Sequence, residues 1–121
     1  MPLSRLLGVR LVDATAEAVR LALDWREDLC TSAGAMHGGA LMSLADTAGA
    51  VSAFLNLPSG SAGTTTIESK TNLLAPVRGG TVSATARPLH AGRTVIVVET
   101  GLECEGRLVA KTTQTQAVLT G

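Results

Sequence analysis

Hydrophobic and polar residues follow two different periods along the chain. Near the N-terminus, residues 9–14 (VRLVDA) and 16–25 (AEAVRLALDW) alternate between apolar and polar side chains, which predicts two strands around a short turn. The segment LSRLLG before them predicts a single helical turn. Residues 37–55 are instead apolar on nearly every side, which predicts one long buried helix.

Four more strands are predicted after the helix. The breaker-rich loop NLPSGSAG ends the helix, and TTTIESKTNLLAP then alternates, with Ile67, Ser69 and Leu73 on one face. GGTVSATARPLH, RTVIVVETGLECE and EGRLVAKTTQTQAVL complete a predicted antiparallel meander, whose last two strands meet in a Glu-Gly hairpin turn. A helix followed by such strands predicts an α+β fold in which the helix lies across one sheet. No linker or repeat divides the chain, so residues 1–121 are expected to form a single domain.

The predicted helix lacks a charged face, and this predicts a partner. Its larger aliphatic side chains lie on one side, from Leu41 to Leu55, and one sheet would cover that side. The other side carries small and apolar residues, among them Gly49 and Ala53, and the chain has little left to cover it. We therefore expect a second copy of the chain to pack there, as in a homodimer.

The composition excludes a general role in nucleic-acid binding. Ten Lys and Arg residues balance ten Asp and Glu residues, and only 2% of the chain is aromatic, so it offers neither a basic field nor a stacking platform. The two cysteines, Cys30 and Cys104, lie outside any CxxC pattern, which indicates free thiols in a reducing compartment. The first residues lack the apolar core of a secretory signal, and polar residues interrupt the apolar run 40–57. We expect a cytoplasmic protein without a membrane partner.

His37, Gly38 and Gly39 lie at the predicted start of the helix. The first helical turn leaves unpaired backbone N–H groups at the positive end of the helix dipole, and glycines allow another molecule to approach them. Such a site suits the polarisation of a carbonyl oxygen; the alternative is that the glycines only ease a tight entry into the helix. For His37 a capping or loop-orienting role is favoured over direct proton transfer. With only two histidines and no acid or cysteine at ligand spacing, no metal site is predicted.

Asp46 is the only charged residue between Asp28 and Glu68. It follows His37 by nine residues, about 13 Å along a helix axis, which is too far for it to act at the N-terminus of its own helix. It could instead act at the N-terminus of an antiparallel helix in a second subunit. Because an unpaired buried carboxylate is costly, two interpretations remain: a catalytic acid, or a structural acid bonded to a Ser or Thr hydroxyl on another element.

The segment MHGGALMSLADTAGAVSA resembles the signature helix of hotdog-fold acyl-CoA thioesterases. It is most similar to the phenylacetate-pathway enzymes and their 4-hydroxybenzoyl-CoA thioesterase relatives, mainly through the HGG–(any six)–D spacing and the LADTA run. Downstream, TTTIESKTNLLAPVRGG and AGRTVIVVETGLECEGRLVAKTTQT resemble the next strand and the last hairpin of the family. The resemblance implies a hotdog fold, in which a curved antiparallel β-sheet wraps around one long central α-helix. It also implies a homodimer or a homotetramer (a dimer of dimers) with active sites between subunits.

By this resemblance the protein hydrolyses a small acyl-CoA, with an aryl or a short- or medium-chain acyl group, to free acid and coenzyme A. The Gly38 amide would polarise the thioester carbonyl, and His37 and Gly39 would shape the loop. Asp46 of the other subunit would be the nucleophile or the general base, and the hydroxyl that the family places near this acid maps best onto Thr66. No cofactor is implied, since coenzyme A is part of the substrate.

The chain departs from the family at one substrate-binding position. The family often has Asn or Gln six residues before the histidine, and here that residue is Thr31, whose side chain is shorter. For the coenzyme A phosphates the candidates are Arg78 in PVRGG and Arg93 in HAGRT. Two alternatives stay open: a hotdog dehydratase or hydratase, which relies on a His base paired with an acid, and a non-catalytic acyl-CoA-binding protein, which an intact Asp46 disfavours.

Overall fold

A computed structural model describes all 121 residues, from Met1 to Gly121. The helices and strands are α1 (Pro2–Leu7), β1 (Arg10–Ala14), β2 (Val19–Asp24), a 3₁₀ turn (Glu27–Leu29), α2 (Gly38–Leu55), β3 (Ser61–Leu73), β4 (Thr81–Ala91), β5 (Val95–Cys104) and β6 (Arg107–Thr120). Every predicted element is therefore present in the predicted order. The β5–β6 hairpin turns through Glu105 and Gly106, which both have positive φ, as the turn type typical of two-residue hairpins demands.

The six strands form one antiparallel sheet in the order β1-β2-β4-β5-β6-β3. The predicted meander is correct for β4, β5 and β6, but β3 pairs with β6 and not with its sequence neighbour β4. The reason is the helix between the second and third strands. Because α2 contacts every strand from β2 to β6, it carries the chain across the sheet, and β3 begins at the far edge.

The core lies between the sheet and the inner side of α2. The sheet contributes alternate residues of its strands, such as Val82, Ala84 and Ala86 of β4, which are all fully buried. The helix contributes eight buried residues: Ala40, Leu41, Leu44, Ala45, Ala48, Gly49, Ser52 and Ala53. This inner side is rotated from the predicted one, since Leu55 is exposed and Gly49 and Ala53 face the sheet. Small residues at these two positions allow the helix to approach the sheet closely.

The outer side of α2 is largely uncovered in a single chain. Helix α1 packs beside it, and the hydroxyls of Ser4 and Thr47 are 3.0 Å apart there. Met42, Asp46 and Phe54 are exposed on this helix. By length and composition α2 could also cross a membrane, but here its inner side packs on the sheet. The prediction of a buried helix is thus confirmed for one side, and cover by a second copy stays a prediction.

Candidate active site

Helix α2 begins with an open backbone donor. His37 is the N-cap, and its Nδ1 accepts a hydrogen bond from the Gly39 amide over 2.8 Å. The Gly38 amide has no acceptor within the chain. Because it lies at the positive end of the helix dipole, it is available to bind a carbonyl oxygen or an oxyanion. The capping role favoured for His37 agrees with this geometry.

The loop before the helix is held by two backbone hydrogen bonds. The amide of Met36 donates to the Val77 carbonyl, and the amide of His37 donates to the Leu29 carbonyl, each over 2.8 Å. Leu73 lies directly against Gly38, where an added Cβ would be 2.6 Å from its Cδ1. An apolar hollow of about 300 Å³ adjoins this point. It is lined by Met36, Gly38, Leu41, Leu73, Leu74, Ala75 and Pro76.

Asp46 lies on the exposed side of α2, and one of its oxygens is held from the sheet. Its Oδ1 accepts hydrogen bonds from Thr66 Oγ1 over 2.8 Å and from Gln114 Nε2 over 3.1 Å. No Lys or Arg forms an ion pair with it. Its Oδ2 accepts no hydrogen bond from this chain, so the carboxylate is oriented while one oxygen stays available to a reactant.

Thr66, which donates to this carboxylate, lies directly before a β-bulge in β3. Thr66 pairs with Gln116 and Glu68 pairs with Thr115, so Ile67 is an extra residue between them. The strict alternation predicted for this strand is therefore wrong at Ile67, which is 61% exposed. The extra residue shifts the face that each later side chain of β3 occupies. Thr66 precedes it, and its hydroxyl is the one that lies beside the acid.

The structure assembles two separate half-sites in one chain. His37, Gly38 and Gly39 form the helix start, and Asp46 with Thr66 forms the acidic part. Gly38 and Asp46 are eight residues apart, which is about 12 Å along the helix axis. At that separation a single carbonyl group cannot contact both residues of the same chain.

Two of the three predicted substrate-binding residues, Thr31 and Arg78, lie at one loop, and Arg93 lies elsewhere. Thr31 is exposed in the loop before α2, where its Oγ1 accepts from the Ala33 amide. Arg78 donates to the Ala33 carbonyl over 3.0 Å, so it lies beside the same loop. Arg93 follows the other end of β4 and lines a hollow with Pro58 and Thr120. Since β4 is 11 residues long, roughly 30 Å separates the two arginines, and they do not form one site in a single chain.

A surface hollow of about 390 Å³ contains Arg78 together with Arg107, Glu105 and Cys104. Burial, and secondarily Glu105, raises the pKa of the Cys104 thiol above its usual range, which makes the thiol a poor nucleophile. Elsewhere, no group of three or more His, Cys, Asp or Glu residues is placed to hold a metal ion. The hollow around Arg78 contains two guanidinium groups and one carboxylate, that of Glu105.

Comparison with known families decides the identity. The family model described as the thioesterase superfamily matches residues 33–111, which is more than half of the chain. The chain belongs to the thioesterase superfamily. A relative from Bacillus subtilis (strain 168), named "Putative esterase ComA2", is 35% identical over 91 residues, which cover 75% of this chain and 72% of that protein.

Solved structures agree with this assignment. The conserved protein PA5202 from Pseudomonas aeruginosa has a TM-score of 0.88 and 35% identity, covering 98% of this thioesterase and 94% of that chain. The thioesterase HI1161 from Haemophilus influenzae has a TM-score of 0.91 and 25% identity, covering 98% and 82% respectively. The predicted hotdog fold is confirmed, and the protein is a thioester hydrolase.

Sequence reasoning missed two residues of this thioesterase that reach the acidic part of the site. Gln114 contacts Asp46 directly, and Gln116 contacts Thr66. Both glutamines are fully buried. A signal was present: the segment TTQTQ is polar at every position, although β6 is a central strand. A central strand without an apolar face indicates a buried polar network.

Proposed function

We propose that the protein hydrolyses the thioester of a small acyl-CoA to a free acid and coenzyme A, at active sites formed between two subunits. The carrying observation is the pairing of an open Gly38 amide with an oriented Asp46 carboxylate about 12 Å away on the same helix. Two antiparallel copies of α2 would bring Gly38 of one subunit to Asp46 of the other. The proposal includes a homodimer or a homotetramer, no added cofactor and a cytoplasmic location.

In this arrangement the Gly38 amide donates to the thioester carbonyl oxygen and stabilises the negative charge that develops there. Asp46 of the second subunit acts through its free Oδ2. As a general base it takes a proton from water, whose oxygen attacks the carbonyl carbon; as a nucleophile it attacks that carbon itself, and water then hydrolyses the anhydride. In both routes the carbon–sulfur bond breaks and the coenzyme A thiolate takes up a proton.

The surroundings of the two half-sites support a small acyl group and a coenzyme A carrier. The apolar hollow beside Gly38, about 300 Å³, is at the lower end of the range of ligand pockets, roughly 300–1,000 Å³. Arg78 and Arg107 lie in the neighbouring hollow and would bind the phosphates. Arg78 is favoured over Arg93 because its loop packs against the loop that leads into α2.

The geometry disfavours the dehydratase or hydratase alternative. That chemistry relies on a histidine base paired with an acid, but Nδ1 of His37 is occupied by the helix cap. The Asp46 carboxylate is held from the sheet by Thr66 and Gln114, and not by a histidine. The non-catalytic alternative gives no role to an oriented carboxylate with one free oxygen.

The direct test is thiol release from a panel of phenylacetyl-, hydroxybenzoyl-, short-chain and medium-chain acyl-CoA esters, with Asp46→Asn measured beside the wild type. We expect turnover of at least one ester and its collapse in Asp46→Asn, with the fold and the oligomer state unchanged. Binding of all esters without release would support the non-catalytic reading instead. Equal activity in both proteins would show that Asp46 is structural.

A subunit-mixing experiment tests whether the site spans two chains. Gly38→Val and Asp46→Asn are each expected to be inactive, and the two proteins are unfolded together and refolded as a mixture. Half of randomly assembled dimers are hybrids with one intact site of two, so about a quarter of wild-type activity should return. No recovery, with hybrid dimers demonstrated by mass spectrometry, would place the whole site within one chain.

A further inference from the structure

Two buried glutamines lie between the sheet and α2 without a role in the mechanism above. Gln114 and Gln116 belong to β6 and are both fully buried. They are separated by Thr115, so both point to the face that α2 covers. Buried amides are retained where they form specific hydrogen bonds, and both of these amides lead to Asp46.

Gln114 contacts the carboxylate directly. Its Nε2 donates to Asp46 Oδ1 over 3.1 Å. An ionised carboxylate only accepts hydrogen bonds, so it selects the amide orientation in which nitrogen and not oxygen faces it. The Oε1 of Gln114 is buried and has no hydrogen-bond partner. The amide nitrogen of Gln114 therefore bonds the carboxylate, while the amide oxygen stays without a hydrogen-bond partner.

Gln116 acts one residue further away, through Thr66. Its Nε2 donates to Thr66 Oγ1 over 2.5 Å, and Thr66 Oγ1 lies 2.8 Å from Asp46 Oδ1. A threonine hydroxyl has one proton, and the carboxylate requires it. The Thr66 oxygen must then accept from another donor, and Gln116 supplies that donor. The hydrogen bonds therefore run in one direction, from Gln116 through Thr66 to Asp46.

Gly49 provides the space for this network. A Cβ on Gly49 would lie 2.0 Å from Oε1 and 2.3 Å from Cδ of Gln114. The Gln114 carboxamide therefore packs against the bare backbone of α2, one turn after Asp46. A glycine inside a helix is destabilising relative to alanine, but a side chain at this position would displace the Gln114 amide.

We propose that Gln114 and Gln116 are positioning residues of the hydrolytic site. Gln114 directly, and Gln116 through Thr66, hold Oδ1 of Asp46 and leave Oδ2 as the reactive oxygen. The inference rests on the proposed function, because it needs Asp46 to act on the thioester. Without the two amides the carboxylate can rotate, and a small misplacement of a reacting group is costly in rate. The substrate-binding groups at Gly38 and Arg78 are not touched.

The test uses Gln114→Met and Gln116→Met, which keep the side-chain length and remove the hydrogen bonds. We expect each to lower kcat by about 10- to 100-fold while KM stays within about 3-fold. Thr112→Val is the matched control, since Thr112 is fully buried on the same face of β6 and bonds only Thr71. It should leave kcat within about 2-fold. Thermal unfolding and oligomer state are measured for all three variants.

Two double variants separate positioning from packing. If Gln116 acts through Thr66, Gln116→Met should add no further loss of kcat in a Thr66→Val background, whereas independent packing effects would multiply. Gly49→Ala should reproduce the Gln114→Met loss by displacing the amide. In a Gln114→Ala background, Gly49→Ala should cause no additional loss.

The outcomes distinguish this inference from the proposed function. Losses of kcat that follow the melting temperature equally in the glutamine variants and in Thr112→Val would overturn the positioning role. The positioning role is also overturned if both glutamine variants keep wild-type kcat while Asp46→Asn loses its turnover. In that case the proposed function still stands. If Asp46→Asn keeps full activity, the proposed function itself fails first.

Discussion

The hydroxyl of Thr66 donates to Asp46 across the gap between β3 and α2, with Oγ1 and Oδ1 2.8 Å apart. The two residues are 20 positions apart in the chain, and Thr66 lies directly before the bulge at Ile67. This contact ties the acid in the middle of the helix to the edge strand of the sheet. In the proposed mechanism the strand is therefore part of the hydrolytic site.

Replacing Thr66 should test this contact most directly. Thr66→Val removes a hydrogen bond to a charged group, worth about 1.5–3 kcal/mol, so we expect kcat to fall by about 10- to 150-fold. Thr66→Ser keeps the hydroxyl and should retain most of the activity. Thr65→Val, at the exposed neighbour, serves as the control. Equal kcat values for Val and Ser at position 66 would contradict a role for the hydroxyl.

Gly38→Ala should reduce activity with little change in stability. The added Cβ meets the end of the Leu73 side chain, which is 53% exposed and free to move. The same methyl group narrows the approach to the Gly38 amide, so we expect kcat/KM to fall by about 10-fold or more. Gly101→Ala, where a Cβ makes only ordinary contact at 3.6 Å, is the control. Unchanged kinetics in Gly38→Ala would contradict the expected obstruction of the approach to this amide.

Variants of His37 separate capping from proton transfer. Asn is a good N-cap, so His37→Asn should keep the helix start and most of the activity. His37→Ala loses the bond to the Gly39 amide and should cost about 0.5–2 kcal/mol of stability, seen as a lower melting temperature. Loss of activity in His37→Asn at unchanged stability would instead indicate that the imidazole takes part in the reaction.

Arg78 should contribute to the recognition of the nucleotide part of coenzyme A. Arg78→Ala is expected to raise KM for an acyl-CoA by about 3- to 10-fold. KM for the corresponding acyl-pantetheine, which lacks the nucleotide, should not change. Arg87→Ala controls for loss of a surface charge, and Arg93→Ala tests the other candidate. A larger effect at Arg93 would place the nucleotide at the opposite end of β4.

The pH dependence of stability should contain a contribution from Asp24. Hydrogen bonds from Thr81 and Arg10 lower the pKa of this carboxyl below its ordinary value of 3.8. A lowered pKa in the folded state stabilises the protein above the ordinary pKa, and this contribution is lost as the pH falls through the lowered value. Asp24→Asn should therefore be less stable than the wild type at pH 7, and urea unfolding should show the difference disappear in strong acid. A difference that persists there would have another cause.

Local patterns along the chain determined the helices and strands, and they placed Gly38 and Asp46 on α2. Period-two and helical periodicities predicted β1 to β6 and α2 in order, because they reflect which side of each element is buried. The HGG–(any six)–D spacing placed Gly38 at the helix start and Asp46 about two turns later, since helix geometry fixes that distance. The breaker residues marked the loops and the Glu-Gly hairpin.

Only the tertiary structure decided the contacts between distant segments. The pairing of β3 with β6, the bulge at Ile67 and the meeting of Asp46 with Gln114, 68 residues away, depend on how α2 crosses the sheet. Periodicity shows that a side chain is buried, but it does not show which other element buries it. The sequence by itself determined which groups could do the chemistry, and the packing of α2 on the sheet decided which side chains hold the acid in place.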